Sequence, residues 1–202
     1  EITPINNTND GQFSHDSGSP QIVFQIAKQA GFLVPNSVRV NFDVTSVGSF
    51  SQSIGVASVF NQVTLSTHEG QTIENIKNYN QFLSTVMPIP HSSDDFCTTL
   101  QSKFLVGSSQ EMTSLINTQK TGVSMPLMTG FMNSNIPVPL NMLGLELNLE
   151  LAPSSLCLKE VVPNPNSYHL ENVSLSYDVL IPNEEGMEAM RKLSKGQISY
   201  NS

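Results

Sequence analysis

The sequence predicts an all-β protein, a sandwich of antiparallel strands with one helix inserted in a loop and a short helix near the C-terminus. Several segments alternate strictly between apolar and polar residues, as half-buried strands do. Hydrophobic residues make up 38% of the 202 positions and charged residues only 13%, so Asn, Ser, Thr and Gln supply most of the polarity. That composition suits strands and turns better than exposed helices.

The elements follow one another in a simple order. Residues 1–20 are rich in Asn, Asp, Ser, Gly and Thr and lack an apolar pattern, which predicts an N-terminal arm that is either extended or mobile. We expect the barrel to span residues 21–182. Its strand signals are Gln21 to Lys28, Ser37 to Thr45, Gly55 to Ser66, Leu100 to Gly107, Gly122 to Thr129, Gly144 to Ala152 and Tyr168 to Ile181.

An eighth strand candidate runs from Ile136 to Leu140, and its Pro137 and Pro139 restrict it to a sheet edge or a loop. Seven clear strands and this candidate fit the eight strands of a jelly roll. Pro-, Ser- and Asn-rich connections separate the strands at Met87 to Thr99, Ser108 to Thr121 and Pro153 to Ser167. Their composition predicts long surface loops.

Strict alternation assigns the buried face of three strands. The first buries Val38, Val40, Phe42 and Val44, the second Leu145, Leu147, Leu149 and Leu151, and the last Val173, Leu175, Tyr177, Val179 and Ile181. The residues between them, such as Asp43, Glu146 and Ser174, face outward. Because each strand has one buried and one solvent-exposed face, the pattern indicates antiparallel sheets packed as a sandwich.

The stretch from Gly55 to Asn80 combines two periodicities. A strand-like run ending near Leu65 passes through a turn at His68-Glu69-Gly70 into apolar residues spaced three or four apart, at Ile73, Ile76, Tyr79 and Leu83. This spacing predicts a helix from Ile73 to Val86, inserted between two strands.

Within the same stretch, several residues resemble the first barrel of the major capsid proteins of double-jelly-roll DNA viruses, and among these the polinton-like viruses and virophages. They are Gly55, Ser58, Val59, Phe60, Gln62, Val63, Glu69-Gly70, Ile73-Glu74-Asn75-Ile76 and Tyr79-Asn80. The resemblance extends from about Pro35 through the Met125 to Gly130 run, Met-Pro-Leu-Met-Thr-Gly, to the strand from Asn172 to Pro182.

This resemblance implies a structural subunit of an icosahedral shell. Three chains of two barrels each would form a pseudo-hexagonal capsomer, and partners would be other copies and other capsid proteins. Such capsid proteins usually carry two barrels, whereas 202 residues hold one. The chain is therefore expected to be a single-barrel relative, a processed piece or one half of such a protein. Its first residue, Glu1, fits either maturation cleavage or a partial chain.

The C-terminal residues 183–202 predict a helix and tail. Glu184, Glu185 and Glu188 stand near the helix start, Arg191, Lys192 and Lys195 near its end, and Gly196 follows as the stop. Met187, Met190 and Leu193 would form its apolar face. In the double-barrel family, a helix at this place leads into the second barrel.

Charge and targeting signals exclude several function classes. Nine basic and seventeen acidic residues give a net charge of −8, which opposes the phosphate contacts of nucleic-acid binding. The sequence contains no apolar run long enough for a membrane helix and no signal segment at its start. Cys97 and Cys157 match no zinc spacing and are expected to be buried thiols or a disulfide.

No pattern predicts a catalytic, cofactor or metal site. His15, His68, His91 and His169 are scattered without metal-pair spacing. The loop His91-Ser92-Ser93-Asp94-Asp95 offers ligands for a hard cation, but the pattern is more typical of an ordinary cap or Asx turn.

Two further patterns concern the methionines and glycosylation. Met125, Met128, Met132 and Met142 either fill the core or form a subunit contact. The glycosylation patterns at Asn6-Asn7-Thr8 and Asn172-Val173-Ser174 are expected to be unused.

The leading prediction is a non-catalytic capsid subunit in the virion. A different class remains as the alternative, a β-sandwich module that binds carbohydrate or acts at a fibre tip in receptor binding. An enzyme on a jelly-roll scaffold ranks third, because the usual His and carboxylate cluster is missing.

Overall fold

The strands around Val40 and Leu147 fold as their alternation predicts. The computed structural model describes residues 1–6, 11–50, 54–86, 120–134, 136–159, 166–186 and 188. Within them the strands are β1 (Gln21–Ile26), β2 (Phe32–Leu33), β3 (Arg39–Val47), β4 (Ser49–Phe50), β5 (Phe60–Thr67), β6 (Thr72–Lys77), β7 (Thr121–Pro126), β8 (Val138–Pro139), β9 (Leu145–Leu151), β10 (Leu158–Lys159), β11 (Ser167–Ser176) and β12 (Val179–Leu180). The helices are a 3-10 helix (Val56–Val59), α1 (Tyr79–Val86) and α2 (Ser154–Cys157).

Two larger sheets form the body. One has the order β1-β9-β5-β6 and the other the order β11-β3-β7, and every pairing in them is antiparallel. Two small sheets, β12-β2-β8 and β10-β4, extend it. Most neighbours in the larger sheets are distant in sequence, which is the pattern of Greek-key sandwiches.

One continuous core lies between the two larger sheets. The inward residues of β3 and β9 are buried as predicted, and all four leucines of β9 have no exposed surface. Phe42 on β3 and Phe60 on β5 meet edge to face across the core, with ring centroids 5.9 Å apart. Such aromatic contacts add to the burial energy of both rings. The predicted antiparallel sandwich is therefore confirmed.

The predicted helix from Ile73 to Val86 is wrong in its first half. Residues 72–77 form β6, which returns from the His68 turn as a hairpin partner of β5, and the helix begins only at Tyr79. Leu65 pairs with Glu74 and Ser66 with Thr72, so Ile73 is the extra residue of a β-bulge. Ile73 and Ile76 both pack against the core, and the bulge gives them a spacing that imitates a helix.

The last strand also differs from its prediction. A bulge at Asn172, whose φ is 50°, switches the inward face from Tyr168 and Leu170 to Val173 and Leu175. The strand ends at Ser176, and β12 pairs with β2 in another sheet. Ile181, expected inside, is therefore 73% exposed.

Other boundaries shift locally. The predicted strand from Gly55 opens with the 3-10 helix, and the predicted loop from Pro153 contains α2 and β10. The eighth strand candidate appears as the two-residue β8 at the edge of its small sheet. Residues 184–186 and 188 are helical. The predicted strand from Leu100 to Gly107, the loop before it, residues 108–119 of the loop after it and the basic end of the tail helix lie outside the described residues.

The N-terminal segment, residues 1–6 and 11–20 of the described chain, lies along the edges of both larger sheets. Ile2 and Leu175 exchange two backbone hydrogen bonds of 2.8 Å, and Phe13 and Leu170 exchange two of 2.9 Å. Between these two bridges to β11, the Ile5 N–H donates to the Val23 carbonyl of β1 at 2.8 Å. The segment thus joins one sheet edge to the other.

The alternation of β9 generates a stability prediction. Leu147→Ala should lower the free energy of unfolding by about 2–5 kcal/mol, because it leaves a cavity between the sheets. Glu146→Ala, one residue away on the outer face, should change it by less than about 0.5 kcal/mol. Urea denaturation of both variants measures the difference. Equal losses would contradict the assigned faces.

Candidate functional site

The two stretches that carry the capsid resemblance meet at one side of the sandwich. Glu74 pairs with the inward-facing Leu65, so its carboxylate is directed toward the opposite sheet. There it accepts hydrogen bonds from the backbone N–H groups of Gly130, at 2.8 Å, and Phe131, at 2.9 Å. Among the described strands, β6 and β7 lie at the edges of their sheets on this side of the sandwich.

Gly130 fits this contact because it has no side chain. A Cβ at this position would lie 3.2 Å from the Glu74 Oε1, tighter than an ordinary contact. The absence of a Cβ thus lets the carboxylate approach the backbone closely. An inward-pointing charge on an edge strand also discourages further strand pairing there.

Tyr79 makes the second connection. Its ring is fully buried at the start of α1, and its hydroxyl oxygen accepts a hydrogen bond of 2.9 Å from the Met128 N–H. Burial raises the pKa of the phenol well above its ordinary value, so the hydroxyl stays neutral. The ring stacks on Phe82 with centroids 6.2 Å apart. We call the contacts of Glu74 and Tyr79 with residues 128–131 the β6–β7 latch.

The methionines separate by position. Met125 and Met132 are buried in the core, and Met128 packs against it from the latch. Met142 is 53% exposed. The first three therefore fill space inside the sandwich. Met142 belongs instead to the exposed large apolar side chains at or near the β12-β2-β8 sheet, together with Ile136, Leu180 and Ile181.

His15, His68, His169 and Cys157, which the structure describes, do not come together. His15 lies 3.4 Å from Asp16, His169 lies 3.8 Å from Glu171, and His68 lies in the hairpin turn. Cys157 is a buried free thiol whose pKa burial raises to about 12. Within the described ranges, no group of three His, Cys, Asp or Glu residues could hold a metal ion. His91, Asp94, Asp95 and Cys97 lie outside those ranges.

An ionic cluster that sequence reasoning missed lies on the outer face of the β11-β3-β7 sheet. The Lys120 ammonium is 2.8 Å from Glu171 and 3.3 Å from Asp43. Gln12 of the N-terminal segment donates to the Glu171 carboxylate at 2.7 Å, and Asn172 donates to Asp43 at 2.7 Å. The pairing of β3 with β11 and β7, and the bridge of Phe13 to Leu170, bring these residues together, so no local sequence pattern marks them.

These contacts lower the pKa values of both carboxyl groups. The hydrogen bond from Lys120, with that from Gln12, holds the pKa of Glu171 below its ordinary value of 4.5. The hydrogen bond from Asn172, with those from Lys120, does the same for Asp43, whose ordinary value is 3.8. The cluster therefore favours the ionised carboxylates at neutral pH.

Both glycosylation patterns involve structural asparagines. The Asn6 side chain accepts from the Val23 N–H at 2.8 Å and donates to the Gln21 carbonyl at 2.6 Å. Asn172 occupies the bulge of β11 and binds Asp43. Each side-chain amide thus has a defined role in the fold.

No helix in the described part of the chain combines the length and apolar character needed to cross a bilayer. The features described above are the contacts at two sides of the sandwich, an ionic cluster on its surface and a group of exposed apolar side chains near the β12-β2-β8 sheet.

Tyr79→Phe tests the latch. Removing the hydroxyl leaves the Met128 N–H without its acceptor, which should cost about 1–3 kcal/mol of unfolding free energy. Tyr177→Phe is the matched control, because its hydroxyl takes part in a weaker contact, at 3.4 Å from the Gln29 amide. Chemical denaturation should show the larger loss for Tyr79→Phe. A larger loss for the control would contradict the importance of the latch.

Lys120→Met tests the ionic cluster through pH. Because the folded-state pKa values of Glu171 and Asp43 are lowered, the unfolded chain binds more protons, and the cluster's contribution is complete above the unfolded pKa values. This contribution to the free energy of unfolding is lost as pH falls from about 4.5 through the folded-state pKa values of the two carboxyl groups. Lys120→Met should therefore flatten the acid dependence of unfolding free energy, measured by urea denaturation from about pH 6 to pH 3. Lys28→Met is the control, and an unchanged slope in Lys120→Met would contradict the assignment.

Comparison with known proteins gives a likeness of structure. No protein-family model and no curated protein matches the sequence. One similar solved structure is the PBCV-1 protein VP54 fitted into a cryo-EM reconstruction of the virophage Sputnik, with 15% identity and a TM-score of 0.57 over 83% of this chain and 40% of that one. Another is a quasi-atomic model of the PBCV-1 virus capsid, with 16% identity and a TM-score of 0.56 over 94% and 43%.

This chain therefore spans about two-fifths of the length of the chains it resembles. At such identities the likeness establishes the fold. The chain has the all-β jelly-roll fold found in these viral capsid structures.

Proposed function

We propose that the protein is a structural subunit of a viral capsid that assembles with copies of itself and with other capsid proteins into an icosahedral shell. The observation that carries the proposal is the likeness to two capsid structures over 83% and 94% of this chain. The β6–β7 latch supports it independently, because it joins the two sequence stretches that resemble capsid barrels.

The role is mechanical. Closed sides keep the sandwich from pairing indefinitely through its sheet edges, so assembly depends on many weak surface contacts repeated by symmetry. The exposed apolar residues Ile136, Leu180 and Ile181 are candidates for such contacts. We place the subunit in the capsid of the virion, in trimeric or pseudo-hexameric capsomers. The proposed division is an arm over residues 1–20, a barrel over 21–182 and a linking helix and tail over 183–202.

The proposal assigns no catalysis and no direct contact with nucleic acid. The net charge of −8 opposes phosphate binding. The alternative of a carbohydrate-binding or fibre-tip module is not favoured, because the similar structures are capsid proteins.

Electron microscopy of the purified 202-residue chain tests the function. We expect hexagonal capsomers or closed shells that form above a threshold protein concentration, with intact-mass analysis confirming the 22.0 kDa chain. A urea-unfolded and refolded sample controls for amorphous aggregation, which gives irregular particles. Small particles of uniform size at every concentration would contradict the proposal.

A further inference from the structure

The outward face of the small β12-β2-β8 sheet is apolar. Leu180 pairs with Phe32, and Phe32 pairs with Pro139, so these three residues form one row on the same face. The row beside it is buried in the core or packs against it, and it consists of Val179, Leu33 and Val138. Because neighbouring residues of a strand point to opposite faces, the first row points away from the core. Leu180 in that row is 56% exposed.

The outward face of a larger sheet has a different character. On β9 the outward residues are Glu146, Asn148 and Glu150, which suit the side of an antiparallel sheet that meets water. Four of the seven exposed large apolar side chains in the described part of the chain lie instead at or near the small sheet: Ile136, Met142, Leu180 and Ile181. Single exposed apolar residues are ordinary, but a group of them marks a contact surface. We therefore expect another segment or molecule to cover this face.

The chain that leaves this sheet begins a helix almost at once. Asn183 follows β12 by three residues, and its side-chain oxygen accepts a hydrogen bond of 3.0 Å from the Gly186 N–H, as a helix N-cap does. Residues 184–186 and 188 are helical. A Cβ at Gly186 would lie 2.6 Å from the Pro182 Cβ, so the first turn lies against the segment that links it to β12. The C-terminal tail thus starts as a helix close to the apolar face.

The sequence of the tail carries an apolar stripe that matches this face. Met187, Met190 and Leu193 recur at intervals of three residues, which places them on one side of a helix, with Lys192 on the other. A helix over residues 184–195 would be about 18 Å long. It would therefore be long enough to cross three strands that lie about 4.8 Å apart.

We propose that the outward face of the β12-β2-β8 sheet is the docking site of the chain's own C-terminal tail, residues 187–202. The apolar stripe of the tail packs on the row of Leu180, Phe32 and Pro139. Because the tail follows Leu180 within a few residues, its effective concentration at this face is high, which favours it over a separate molecule.

The tail would then control when this face is available. The next step rests on the proposed function, in which exposed apolar residues of this sheet contact neighbouring subunits. A tail that occupies the face must leave before such a contact forms, so it acts as a cover that keeps the free subunit from associating early. The docking site itself does not depend on the capsid proposal.

An introduced tryptophan can report whether the face is covered. The chain contains no Trp, so the emission of Leu180→Trp comes from this face alone. The position is more than half exposed, so the replacement spares the core. In the 202-residue chain, diluted until sedimentation shows a monomer, we expect blue-shifted emission and protection from acrylamide quenching.

Matched double variants of the tail, made in the Leu180→Trp background, identify the cover. Met190→Gln/Leu193→Gln removes the apolar stripe and should cause a red shift of the emission and a loss of protection from quenching. Lys192→Gln/Lys195→Gln changes the polar side of the same predicted helix and should leave both unchanged. Circular dichroism verifies that each variant is folded. If Leu180→Trp does not fold, Met142→Trp replaces it, because Met142 is 53% exposed and its N–H donates to the Pro139 carbonyl.

Three results would overturn the inference. The first is the emission of a solvent-exposed indole in the dilute 202-residue chain. The second is a blue shift that appears only as the protein concentration rises, which would assign the face to a second copy. The third is a blue shift that Met190→Gln/Leu193→Gln does not change, which would assign it to another part of the chain. Capsomers or shells seen by microscopy in any of these cases would leave the capsid proposal intact, so the two failures are distinguishable.

Discussion

The burial of the β9 leucines is the constraint on which the rest of the sandwich depends. β9 pairs with β1 on one side and β5 on the other, so it sets the register of both. A shift by one residue would place Glu146, Asn148 and Glu150 in the core and the leucines in water. Because this error would cost many kcal/mol of burial, the strand has one acceptable register. That register fixes which residues of β1 and β5 meet the opposite sheet.

A sandwich made of two open sheets has two sides that need closing, and this one closes them by different means. On the β1 and β11 side, the N-terminal segment crosses from one sheet edge to the other through backbone pairing. On the β6 and β7 side, the side chains of Glu74 and Tyr79 accept hydrogen bonds from the backbone that follows β7. The first closure depends on backbone hydrogen bonds from the N-terminal segment. The second is built into the barrel, because Tyr79 is fully buried.

Sequence patterns predicted the parts of this fold that depend on strict alternation. The inward faces of β3 and β9 follow directly from period two. The pattern failed where a bulge adds a residue: Ile73 in β6 produced an apparent helical spacing, and Asn172 in β11 reversed the inward face midway. The sequence did not predict the contacts of the latch, although both of its halves lie in stretches that resemble capsid barrels. Lys120, Asp43 and Glu171 were not predicted as a cluster, because the pairing of β3 with β11 and with β7 brings together residues that are far apart in the sequence.

The difference between a core that depends on alternation and closures that depend on particular residues explains how a chain can share a fold with capsid structures at 15–16% identity. A core requires apolar residues of suitable volume in alternating positions, and many sequences meet that requirement. The latch is more demanding, since it needs a carboxylate at an inward edge position and a close approach to the backbone at Gly130, which the missing Cβ eases. Residue-specific likeness is therefore found at a closure of the sandwich as well as in its interior, where Val59, Phe60 and Val63 are buried. The stretches around Glu74, Tyr79 and Gly130, where the sequence resembles capsid barrels, lie at such a closure.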